Sequence, residues 1–147
     1  MNENVVQIGV ALVIVNLVAW GGFAMLQDDD SEQGDAIANV SVTINYNGAE
    51  SDAVANTNKT SVTYNVTVIG DTSAFNATVE ASKGNFGLKF TWYSTFNGAF
   101  IDEIDGIAGG CAYWELFHNG ESSMVGASDL ILVENDSITW KYNTDYC

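Results

Sequence analysis

The stretch AYWELFHNGESS, Ala112–Ser123, holds the only histidine of the chain, His118, with Glu115 three residues before it and Glu121 three after. Two readings compete here: an acid/base group, or a strand running into a turn. Successive side chains of a strand point to opposite faces, so Glu115 and His118 would diverge rather than converge on one substrate atom. Asn119-Gly120 behind an aromatic run is the strongest short hairpin signal, because both positions of a two-residue turn need positive φ, which Asn and Gly tolerate. The stretch therefore reads as a strand over 113–117 and a hairpin turn at Asn119 and Gly120.

Outward from this hairpin the period of two recurs. Val40, Val42, Ile44 and Tyr46 alternate with polar residues, as do Val62, Tyr64, Val66 and Val68, and then Leu88, Phe90 and Trp92. AFIDEIDG, SDLILV and SITWKY supply further strands, while GAESDAVANTNK between the first two is a loop. GDTSAFNATVEASKG breaks the period: Thr72 or Ser73 can cap a helix, Phe75 and Val79 share a face, and Lys83 followed by Gly84 closes it. The simplest architecture is a sheet with one short helix laid across one face.

The chain has 147 residues, enough for one compact domain and an appendage. Nineteen acidic residues face four lysines (Lys59, Lys83, Lys89, Lys141), with no arginine and no proline, for a net charge of −15. Such a surface repels phosphate backbones and excludes nucleic acid as a partner; it suits a strongly hydrated, salt-tolerant exterior. Cys111 and Cys147 are the only cysteines. Cys147 is the last residue, a poor place for a core thiol and a good one for a staple; if the two pair, an oxidising compartment follows. Sequons at Asn39, Asn58, Asn65, Asn76 and Asn135 are glycosylation candidates, and they suggest an archaeal or similar envelope.

Ahead of the strands, Val5 to Leu26 carry no charge over a bilayer-spanning length. The expectation is a hydrophobic helix over 1–27, in a membrane or a filament core, followed by an acidic linker over 28–38. Gly9, Asn16 and Phe23 would share a face, and a buried amide wants a partner, so this helix would pack on copies of itself. With Glu3 ahead of the apolar run, the segment resembles type IV pilin N-termini. That resemblance implies a pilin-like filament subunit that meets the membrane at least before assembly.

A second resemblance lies in the head. Gly98-Ala99-Phe100-Ile101, Ile104-Asp105-Gly106, Tyr113-Trp114, Asn119-Gly120-Glu121, Val125-Gly126-Ala127 and the closing Asn135-Asp136-Ser137-Ile138-Thr139-Trp140-Lys141-Tyr142 resemble the transcobalamin-like C-terminal domain family. The family implies a β-grasp-like extracytoplasmic module, the smaller lobe in vitamin B12 carriers. Asn135 stands where the family has glycine, a change the left-handed turn conformation accepts. The carriers hold their corrinoid against a large helical domain, for which 147 residues leave no room.

Catalytic parts are lacking: no nucleophile motif, no phosphate loop and no metal-ligand spacing occur, so no catalytic residue, cofactor or metal is expected. Asp102, Glu103 and Asp105 before Gly106 lack calcium-loop spacing and read as a solvated turn. Trp92, Tyr93, Trp114, Phe117, Trp140 and Tyr142 either fill the core and cover the open sheet face or line a ligand groove, with the core favoured. The whole reads as α+β: the N-terminal hydrophobic helix, then a β-grasp-like, mostly β head over 39–147. The expected role is a non-enzymatic cell-surface filament subunit, homo-oligomeric through its N-terminal helix. The competing role is a single-pass anchored extracytoplasmic module that binds a corrinoid, a glycan or an envelope protein.

Overall fold

A computed structural model describes residues 35–49, 60–145 and 147. The first alternating run forms β1 (Ile37–Asn45), which pairs antiparallel with β2 (Ser61–Ile69) in unbroken register. The last alternating run, β8 (Ser137–Asn143), lies parallel to β1 on its other side, and β6 (Tyr113–His118) pairs antiparallel with β8. Asn119 (φ 48°) and Gly120 (φ 88°) make the tight turn from β6 into the short β7 (Glu121–Ser122). The five strands form one sheet in the order β2-β1-β8-β6-β7.

The even-numbered residues of β1 and β8 build the floor of the core: Val42, Ile44 and Ile138 are fully buried, and Val40 and Trp140 nearly so. Over this floor lies the helix α1 (Ala74–Ser82), whose cap is Ser73; its Oγ accepts the Asn76 amide at 3.2 Å. The buried face of α1 is Ala74, Ala77, Thr78 and Ala81, while Phe75 and Val79 are half-buried. Small residues let the helix approach the sheet closely, and the large volume comes from Trp140, whose Nε1 donates to Thr78 Oγ1 at 2.8 Å. Thr78 Oγ1 in turn donates to the Ala74 carbonyl at 2.7 Å.

Two expectations are corrected here. The single sheet becomes two, because β3 (Leu88–Tyr93), β4 (Gly98–Ile104) and β5 (Ile107–Ala108) form a separate three-stranded sheet. The register shifts between Lys89 and Phe90, and Asp105 (φ 52°) with Gly106 (φ 76°) folds β4 straight back into β5. Such local pairing closes these strands on themselves. SDLILV is no ladder strand: it makes one isolated bridge, Ser73 to Ile131, and serves as the rail on which α1 starts. Ala74 N donates to Leu130 O at 2.8 Å and Leu132 N to Thr72 O at 2.9 Å.

The α+β plan built on an N-terminal hydrophobic helix is also corrected. The described protein is mostly β with one short helix, and among the described residues no helix is long and apolar enough to cross a membrane. An uncharged apolar run meets a membrane criterion by composition alone, whereas the core here is closed by the strands, α1 and the loop residue Leu132. Glu3, Gly9, Asn16 and Phe23, and with them the proposed helix–helix packing, lie outside the described residues.

Candidate functional site: a trough between the two sheets

β4 and β6 belong to different sheets, and the seam between them is a trough. Two adjoining cavities, of about 330 and 530 Å³, share Phe100, Ile101, Tyr113 and Trp114. The smaller continues to Leu116, Val125, Ala127 and Trp140; the larger runs to the Gly109–Cys111 loop. Ile101, Trp114, Leu116, Ala127 and Trp140 are buried and form the floor, while Phe100 and Val125, each 49% exposed, stand at the rim.

The floor is held by specific bonds. Trp114 Nε1 donates to the Ile107 carbonyl at 2.9 Å, and its ring meets Tyr46 edge-on at 6.1 Å and Tyr142 at 5.1 Å. The Tyr142 hydroxyl donates to Ala108 O at 3.0 Å, tying β8 to β5 across the seam. Tyr46 donates to Asp105 Oδ2, and burial with this bond pushes its phenol well above the ordinary range, so it stays a neutral donor. Asp105 Oδ1 also accepts the Gly87 amide at 3.1 Å. The Asp102-Glu103-Asp105 group is thus divided among three jobs, since Thr91 Oγ1 donates to Asp102 at 2.7 Å and Lys89 pairs with Glu103 at 2.9 Å. Among the described residues no cluster of His, Cys, Asp and Glu could hold a metal ion.

Cys111 and Cys147 form a disulfide with 5.2 Å between Cα atoms, fastening the end of the chain beside the trough. The histidine trio does not converge. Glu115 accepts from Ser122 Oγ at 2.9 Å and Asn143 Nδ2 at 2.8 Å, whereas His118 Nε2 lies 3.0 Å from Asp136 Oδ2. Asp136 is the centre of a small network, taking Asn119 Nδ2 at 2.8 Å and the Val133 amide at 3.0 Å. Burial raises its pKa, but the bonds from Asn119, Val133 and His118 outweigh burial and hold the carboxyl below its ordinary value. Asn119 Oδ1 accepts the Ser137 amide at 2.8 Å, so the hairpin turn also clamps the start of β8.

The sequons scatter. Asn39 is exposed on β1, but its amide donates to Glu134 at 3.1 Å and accepts Thr67 Oγ1 at 2.7 Å. Asn65 projects from the solvent side of β2, Asn135 (φ 69°) is exposed in a turn, and Asn76 donates to Asp71 O at 2.7 Å. Asn58 lies outside the described residues. Of the six aromatics weighed as groove or core, Trp114 and Trp140 do both, as floor of core and trough; Trp92 instead packs with Phe90 against Phe75 of α1, with ring centroids at 6.2 and 4.8 Å from it. Sequence reasoning missed Phe100, Ile101 and Val125 as trough residues, because their role comes from the seam and no local pattern marks a seam.

No curated protein matches the chain. Among solved structures, haptocorrin in complex with Cbi is similar in fold, with a TM-score of 0.59 and 21% identity over 74% of this chain. The likeness spans only 25% of the haptocorrin chain. A candidate metal binding protein from Ruminococcus gnavus is similar with a TM-score of 0.50 and 14% identity, over 74% of this chain and 99% of that one. Nothing in the described fold or in these likenesses supports the filament expectation. The model of a domain of unknown function, DUF4430, matches residues 71–144, from the approach to α1 through β8. With more than half of its length matched, the chain belongs to the DUF4430 family.

Proposed function

We propose that this domain is a non-catalytic binding module that takes its ligand in the trough between β4 and β6. The observation that carries this reading is the pair of adjoining cavities, about 330 and 530 Å³, that share Phe100, Ile101, Tyr113 and Trp114. Concave sites of a few hundred Å³ with apolar floors and a few polar groups are where small ligands bind. Asp102 and Glu115 are the charged residues on its lining, and both are already bonded, so the trough offers shape and aromatic surface rather than an acid or base. The likeness to haptocorrin in complex with Cbi makes Cbi, a corrinoid, the first ligand to try. The Cys111–Cys147 disulfide favours work outside the reducing cytoplasm.

Equilibrium dialysis of the full chain against Cbi tests the reading. Saturable uptake, weakened roughly tenfold by Phe100→Ala with Val125→Ala, is the expected result, since both side chains stand half exposed at the rim and their loss spares the core. No uptake excludes a corrinoid, and uptake indifferent to both substitutions moves the site elsewhere.

A further inference from the structure

Among the described residues, the edge strands of the two sheets are guarded unequally. β5 and β7 are two residues long, and β3 carries Lys89 beside a register shift. Short edges, lysines and bulges are the usual protections against pairing with another chain. β2 has none of them: nine residues, SVTYNVTVI, with no charge, no proline and no break in register against β1.

The register fixes which backbone groups face outward. Tyr46 N donates to Thr60 O at 3.0 Å and Gly70 N to Ala36 O at 2.7 Å, so the even-numbered residues of β2 bond β1. The N–H and C=O groups of Ser61, Thr63, Asn65, Thr67 and Ile69 therefore point away from the sheet, and these residues are exposed. The strand is also close to a palindrome about Asn65. Reversed on itself, it sets Tyr64 against Val66, Thr63 against Thr67 and Val62 against Val68. Aromatic–β-branched and Thr–Thr pairs are favourable cross-strand neighbours, and no like charges meet.

We propose that β2 is a self-association edge, pairing antiparallel with β2 of a second copy about a two-fold axis at Asn65. Asn65 then faces Asn65 of the partner subunit as a hydrogen-bonded pair, and the two five-stranded sheets join into one continuous sheet. α1 packs on β2 and β1 from one face of the sheet, whereas the outward N–H and C=O groups of β2 lie in the plane of the sheet, where a further strand would add. The occupant is a copy of this chain rather than an unrelated strand because the side-chain order of β2 complements its own reverse. Two copies each carrying −15 repel, so association strengthens as salt screens them. This goes beyond the ligand-binding reading and stands without it.

The test uses the full chain. Asn65→Cys, treated with a short bifunctional thiol crosslinker, should give a linked dimer, because the two thiols meet on the axis. Ser61→Cys should give none, since its two copies would sit about 27 Å apart along the paired strands. Asn65→Lys sets two cations face to face and should weaken association roughly tenfold by sedimentation, with an unchanged circular dichroism spectrum. A monomer at every protein and salt concentration overturns the proposal and leaves the edge to another protein's strand. So does a dimer that Asn65→Cys cannot link, that Ser61→Cys links equally well, or that Asn65→Lys leaves intact.

Discussion

Thr78→Val replaces a hydroxyl by a methyl of the same shape at a fully buried site. The hydroxyl accepts Trp140 Nε1 at 2.8 Å and donates to Ala74 O at 2.7 Å. Valine removes both bonds, but the two losses are unequal. Ala74 O keeps its helical amide partner, while the indole N–H is left buried without an acceptor, which costs about 1–3 kcal/mol. We expect a net loss of roughly 2 kcal/mol, which for a domain of this size lowers Tm by about 6–10 °C. Thr78→Ser keeps the hydroxyl and deletes one methyl, for a loss of about 1 kcal/mol. Urea and thermal unfolding of the unmodified protein, followed by circular dichroism, should rank serine above valine, the reverse of the order that hydrophobicity alone gives. In a Trp140→Phe background the valine penalty should shrink by about 1 kcal/mol, since no indole remains to be stranded. Valine as stable as serine, or an undiminished penalty without the indole, would refute the claim that this bond fastens α1 to the sheet.

Two further outcomes follow from the same bonds. Reducing the Cys111–Cys147 bridge, 36 residues apart in sequence, should cost roughly 4 kcal/mol on the chain-entropy model, read as a lower urea midpoint; an unchanged midpoint would mean the bridge constrains nothing. Asp136 has a folded pKa below the ordinary 3.8, so its contribution is complete above that value and disappears as the pH falls through the folded pKa. Unfolding midpoints should therefore drop below about pH 4, and Asp136→Asn, less stable at neutral pH, should show a shallower drop; parallel profiles would remove Asp136 from the acid response.

The strands of the larger sheet were legible because each buries one face: Val40, Val42 and Ile44 alternate with polar partners, and that alternation is the burial pattern itself. The Asn119-Gly120 turn and the Ser73 cap were legible because each answers a local backbone demand. The fully buried face of α1 was not legible, since Phe75 and Val79 outweigh Ala74, Ala77 and Ala81 in hydrophobicity although it is the small side that fits against Trp140. The division into two sheets was hidden because β3 and β4 have the same period as the other strands. Period sets faces but says nothing of partners, which here depend on a bulge and the Asp105-Gly106 turn. The trough shared this fate: Trp114 is visible in sequence as an aromatic, but its neighbours Phe100 and Val125 come from elements that meet only in the folded chain.

Amide hydrogen exchange of the full chain with and without Cbi tests the binding account most directly, because it locates contact without presuming a residue. Slowed exchange is expected over 98–102 and 113–116, the two walls of the trough, with β2 unchanged by the ligand. Binding that protects other segments while leaving both walls at their free rates would contradict it.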